Sequence, residues 1–145
     1  MRKIFLLSLV LILMFAFTSE TMAQSISIRG NASYWGGHFW VGASARAQLT
    51  ENLSARASFS SSVQRYYRAS VEGIYDFRLT EGFNPYAGAG VGYSTFRGAN
   101  VDLIGGLNVR IDRAFRLNAE VTYTIFLDPA YRNRVGFSLG TGFSL

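Results

Sequence analysis

The side chains able to do chemistry in this 145-residue sequence are few and narrow in type. His38 is the single histidine and cysteine is absent, so neither a disulfide framework nor a Cys/His metal set can be built, and no cofactor is expected. The remaining ionisable chemistry is an arginine–carboxylate set. Beyond residue 23 all twelve cations are arginine, against eight Asp plus Glu. A soluble surface would mix Lys with Glu for solvation. Arginine alone suits fixed, hydrogen-bonded pairs, where a planar fork has the advantage over a flexible ammonium. The expected chemistry is therefore charge pairing rather than turnover. The basic balance, pI about 9.9, is weak grounds for a nucleic-acid partner, and none is expected.

The elements that must hold those charges follow from a period of two that runs through most of the chain. From Phe39 to Leu49, Phe39, Val41, Ala43, Ala45, Ala47 and Leu49 share one face, opposite Trp40, Gly42, Ser44, Arg46 and Gln48. No 3.6-residue pattern of comparable length occurs. Eight strands are expected: Ser25–Trp35, His38–Leu49, Leu53–Ser61, Arg65–Arg78, Asn84–Thr95, Asn100–Ile111, Arg113–Thr124 and Arg132–Leu145. Thr50-Glu51-Asn52 and Asp112 mark tight turns at one end. Trp35-Gly36-Gly37, Ser61–Gln64, Phe96–Ala99 and Ile125–Tyr131 lie at the other. Threading the strands up and down puts Arg29, Glu72 and Glu120 near mid-height on the polar face. It puts Arg68, Asp102 and Arg134 toward the outer end, and Arg46, Arg56, Asp76, Arg78, Arg110 and Arg116 toward the inner one.

Residues 1–23 read as a cleaved signal peptide. Arg2 and Lys3 precede a 14-residue apolar run, Ile4 to Phe17, broken by Ser8, and small residues at Thr21 and Ala23 suit cleavage after Ala23. The run is shorter than the roughly 17–25 residues of a transmembrane helix. No cysteine follows it to carry a lipid anchor. Residues 24–145 form one domain, with no linker or second domain expected.

Alternation alone does not separate a membrane barrel from a soluble one. Three features favour the membrane. The apolar face is free of charge in every strand, as a lipid face must be when Arg or Lys at mid-depth costs about 2–4 kcal/mol. Aromatic residues sit near the strand ends of that face: Tyr34, Phe39, Phe59, Tyr67, Tyr93 and Tyr123 at the outer rim, and Tyr75, Phe77, Phe115, Phe137 and Phe143 toward the periplasmic half. Two such girdles match the two interfaces of a bilayer. The polar face carries Gly, Ser, Asn and Arg, with acids at matching depths to neutralise them. The expected fold is an all-β, eight-stranded antiparallel up-and-down transmembrane β-barrel, closed because no sheet edge is tolerated in hydrocarbon.

Asn84-Pro85-Tyr86-Ala87-Gly88-Ala89-Gly90-Val91-Gly92-Tyr93-Ser94 resembles the fifth-strand signature of small Gram-negative outer-membrane barrels: the OmpA transmembrane domain, OmpX and the opacity-like barrel families. The final strand resembles their C-terminal assembly signal, with Phe137, Phe143 and Leu145 in phase, although that signal usually ends in Phe. The resemblance implies the outer membrane as location, with its lipid and lipopolysaccharide as surroundings. It also implies periplasmic chaperones and the barrel-assembly machinery as partners in biogenesis. Members serve as structural anchors, adhesins, narrow channels or lipid-modifying enzymes, so the fold does not settle function. A lipid A deacylase of this class would need a His–Ser pair with an acid on the lipid-facing surface. His38 falls in the lumen phase and is followed by Phe39-Trp40, without the His-x-Ser arrangement, so no enzyme is expected.

The expected function is a structural envelope role with a charge-plugged lumen. The alternative is a narrow porin-like channel for water or small ions, gated by Arg29, Glu72 and Glu120; a static network is preferred because interior charges need pairing in any case. A second alternative is a soluble periplasmic barrel binding a small ligand. Trp35, Gly36, Gly37 and Trp40 are read as a tight hairpin with interfacial rings. Tyr131, Arg132 and Arg134 beside the Asp128-Pro129 turn are the best candidates for lipopolysaccharide phosphates.

Overall fold

Period-two alternation becomes eight antiparallel strands closing on themselves. The computed structural model describes residues 26–144; the expected leader, 1–23, and Leu145 lie outside the described residues. The strands are β1 Ile26–Trp35, β2 His38–Gln48, β3 Leu53–Ser62, β4 Tyr67–Asp76, β5 Phe83–Ser94, β6 Gly98–Arg110, β7 Phe115–Phe126 and β8 Arg134–Ser144. Each pairs with its sequence neighbours, and β8 pairs with β1, so the sheet has no free edge. No helix of the described residues is long and apolar enough to cross a membrane. Crossing falls to the strands, whose 10 to 13 residues match what a tilted membrane strand requires. The end where the described chain starts and finishes is called the terminal end below, and the opposite one the far end.

The register fixes the shape. One row of paired residues runs Ser27, Arg46, Arg56, Glu72, Gly90, Asp102, Thr124, Arg134 around the wall. Ser27 itself pairs with Ser144, so the row returns to β8 displaced by ten residues, from Arg134 to Ser144. A shear of ten over eight strands implies a tilt of about 40° and a backbone radius of about 8 Å, just wide enough for side chains to fill. The row therefore climbs from the terminal end at Ser27 to the far end at Arg134.

Two far-end turns show why these residues end strands. Gly36 and Gly37 have φ of +64° and +89°, the two positive values that a two-residue type I′ hairpin demands, and Trp35 pairs with His38 across it. Gly98, at φ +79°, closes the Thr95–Arg97 loop and starts β6 two residues earlier than expected. β4 stops at Asp76 rather than Arg78: the Phe77 amide still donates to the Pro85 carbonyl in register, but proline has no N–H to return the bond, and a 77–82 loop follows. β7 continues through Phe126, which shifts the last far-end loop to 127–133.

The faces are inverted relative to a soluble barrel. The outer surface exposes apolar side chains all round, with Val41 57% and Phe137 61% accessible, while the buried set is mostly Arg, Ser, Asn, Asp, Glu and Thr. Soluble monomers rarely expose apolar patches beyond a few hundred Å². This arrangement overturns the soluble binding-barrel alternative, which needed its apolar face inside. Tyr34, Phe39, Phe59, Tyr67, Tyr93 and Tyr123 face outward in the far half, and Tyr75, Phe77, Phe115 and Phe143 in the terminal half. Phe137 is a correction: it pairs with Tyr34, so it belongs to the far-end girdle and not the periplasmic one. Phe59 stacks on Tyr67, Tyr75 meets Phe77 edge-on and Phe115 packs against Phe143, at centroid separations of 6.0, 5.2 and 5.6 Å.

Candidate functional site: the barrel interior

Three tiers fill the interior. In the middle tier Arg56 of β3 stands directly opposite Glu72 of β4, and its Nε donates to Glu72 Oε2. The same guanidinium reaches across the lumen to β7, where Nη1 and Nη2 donate to Glu120 Oε2 and Oε1 at 2.6 and 3.1 Å. Ser70 Oγ donates to Glu72 Oε1 and the Tyr86 hydroxyl to Glu120 Oε2, both at 2.7 Å. One cation thus serves two carboxylates, and every one of these groups is largely shielded from water. Arg29 is buried as well, and among the described residues its Nη1 makes no hydrogen bond.

The far tier is a plug of rings wired to an ion pair. Arg68 Nη2 binds Asp102 Oδ2 at 2.5 Å, and Asp102 is wholly buried. Thr124 Oγ1 donates to Asp102 Oδ1 at 2.6 Å and accepts from Trp35 Nε1 at 2.9 Å. The Arg68 guanidinium lies over the Trp35 ring at 4.7 Å, closing the circuit. Trp40 packs edge-on to Trp35 and donates Nε1 to the Trp35 carbonyl; Phe126 and Tyr66 complete the cluster. Arg97 caps it over the rings of Phe96, Phe126 and Tyr131. His38 sits edge-on to Phe96 and Tyr66, and among the described residues no carboxylate or serine hydroxyl hydrogen-bonds to it.

In the terminal tier Arg46 pairs with Asp76, donates to Ser54 Oγ at 3.0 Å and lies 5.8 Å from the Tyr86 ring centroid. Ile74, Tyr86 and Ile104 form a small apolar cluster inside the wall. Below them opens a vestibule of about 640 Å³ lined by Arg29, Arg46, Arg78, Arg110 and Arg116 with Asp76 and Glu81. The space around Arg56, Glu72 and Glu120 is only about 50 Å³, room for roughly one or two waters.

Several sequence expectations meet this geometry differently. Arg46, Arg56, Arg68, Glu72, Asp76, Asp102 and Glu120 are brought into ion pairs, while Arg29 makes none among the described residues, Arg110 and Arg116 line the vestibule, and Arg134 is exposed at the far end. Arg56, not Arg29, joins the two glutamates, because the climbing register carries it to their level. The Trp35–Trp40 hairpin is tight as expected, but its indoles point into the lumen and are not interfacial rings. Tyr86, Ile74 and Ile104 were missed. The signal for Tyr86 was its even, lumen-phase number opposite Gly106, where a Cβ would lie 2.8 Å from Tyr86 Cε1. Among the described residues no group of three His, Cys, Asp or Glu could hold a metal ion.

No family model and no curated protein sequence matches the chain. Solved structures do. The N-terminal β-barrel domain of Pseudomonas aeruginosa OprF aligns with a TM-score of 0.73 at 20% identity, over 86% of this chain and 100% of that one. A barrel from the de novo design of transmembrane β-barrels gives 0.70 at 16%, over 86% and 100%. The outer membrane enzyme PagL gives 0.58 at 13%, over 81% and 98%. At these identities the likeness speaks for fold alone, and the fold is that of the small eight-stranded transmembrane β-barrels.

Proposed function

We propose that the protein is an integral outer-membrane β-barrel with a structural role in the envelope, exported by its leader, and that its lumen is plugged by its own charges and rings. The observation that carries this reading is Arg56 held by Glu72 and Glu120 at once, beneath the Trp35–Trp40–Phe126 cluster. A lumen built to conduct would spend fewer large side chains on its axis. His38, wedged between the Phe96 and Tyr66 rings, is part of the plug in this reading. Phe137 and Phe143 of β8 are the side chains offered to the assembly machinery, together with Leu145. Tyr131, Arg132 and Arg134 are those offered to lipopolysaccharide phosphates.

A second reading, a narrow ion channel, draws on Arg29. It is a buried cation whose Nη1 makes no hydrogen bond among the described residues, so the glutamates have another cation to turn to if Arg56 lets go. Single-channel recording on the purified, refolded protein separates the two. The structural reading expects silent bilayers, and Glu72→Gln leaves them silent. Discrete conductance steps in the wild-type protein, altered by Glu72→Gln, would establish the gated channel instead.

A further inference from the structure

The vestibule at the terminal end has no part in the plug, and its composition is lopsided. Five guanidiniums line it against two carboxylates. Asp76 is already committed to Arg46, and Glu81 stands on the 77–82 loop at the mouth. Arg29 is 4% exposed, and its Nη1 is buried without a hydrogen-bond partner among the described residues. Arg116 Nε is buried and unpartnered as well. A buried donor left unmatched is unfavourable, and a charged one more so. Two acceptors nearby are also unmatched, Asn84 Oδ1 and Asn108 Oδ1.

The lining thus gathers guanidiniums and amide oxygens with unmatched hydrogen-bonding capacity, which defines a ligand: several negative oxygens, and at least one hydroxyl to donate. Guanidinium forks match tetrahedral oxyanions in two-pronged fashion. We propose that this vestibule is a binding site for a small protonated oxyanion of the hydrogen-phosphate type, entering from the terminal end. Arg29 and Arg116 supply charge-assisted donors, and the oxygen of either Asn84 or Asn108 accepts from the ligand hydroxyl. Its volume admits inorganic phosphate with its water, or a small phosphorylated molecule. The site lies below the Arg56 cluster, so it holds whether or not the lumen conducts.

Isothermal titration of inorganic phosphate, and separately of glycerol phosphate, into barrel refolded in a maltoside detergent tests this. The comparison set is wild type, Arg29→Met, Arg116→Gln and the far-rim double variant Arg132→Gln/Arg134→Gln, each checked for folding. One phosphate per wild-type barrel is expected, weakened about tenfold or more by Arg29→Met or Arg116→Gln, as loss of one charge-assisted hydrogen bond implies. The far-rim variant should bind as wild type. Tighter binding of glycerol phosphate would mark a phosphorylated metabolite as the source of the group, and tighter inorganic phosphate the free ion. If Arg29→Met does not refold, Arg116→Gln alone decides. Absence of binding at millimolar phosphate, equal displacement by chloride, unchanged binding in a folded Arg116→Gln barrel, or loss only in the far-rim variant would overturn the assignment.

Discussion

Arg56 is the residue on which most of the interior depends. Removing one partner of a buried ion pair is worse than removing all of them, because the survivors stay charged without compensation. Arg56→Met should therefore destabilise the barrel by about 3–5 kcal/mol, read by urea unfolding in lipid vesicles. The triple variant Arg56→Met/Glu72→Gln/Glu120→Gln should recover most of that loss. A triple variant no more stable than Arg56→Met would show that the ions are not acting as one unit. Tyr86→Phe removes a hydrogen bond to a charged acceptor and should cost about 1.5–3 kcal/mol by the same measurement. Gly106→Ala should cost a comparable amount, since the new methyl occupies space that the Tyr86 ring needs to reach Glu120.

At the scale of the strand and turn, one strained place among the described residues can be relieved by a substitution. Arg65 holds φ of +65° in the turn between β3 and β4, where its amide donates to the Ser62 carbonyl at 3.0 Å. A left-handed non-glycine residue costs about 1–2 kcal/mol. Arg65→Gly should raise the unfolding free energy by up to about 1 kcal/mol, the gain being trimmed by the greater freedom of unfolded glycine. A lower midpoint would mean that the Arg65 side chain contributes more than its backbone costs. Gly37→Val should do the reverse, since a β-branched residue at φ +89° cannot sustain the two-residue hairpin.

For the whole molecule, the alternation that runs through most of the chain, with the turn residues between its segments, was enough to give strand number and both faces, and closure followed because lipid enforces a charge-free outer face and leaves no edge unpaired. Depth was less legible. Phe137 and Arg56 were placed too near the periplasmic end because sequence carries strand phase but not the ten-residue shear that sets which residues share a level. Contacts across the lumen, such as Arg56 to Glu120 and Trp35 to Thr124, depend on that shear and stayed hidden. The inward turn of Trp35 and Trp40 was hidden for another reason: a large ring on the polar phase serves equally well as a rim anchor or as a filler of an 8 Å barrel. The measurement that tests the central claim most directly is heat-modifiability of the protein extracted from outer-membrane fractions. A closed, detergent-resistant transmembrane barrel predicts a membrane-fraction band that runs faster unboiled than boiled. A band in the soluble periplasmic fraction, with the same mobility before and after boiling, would contradict it.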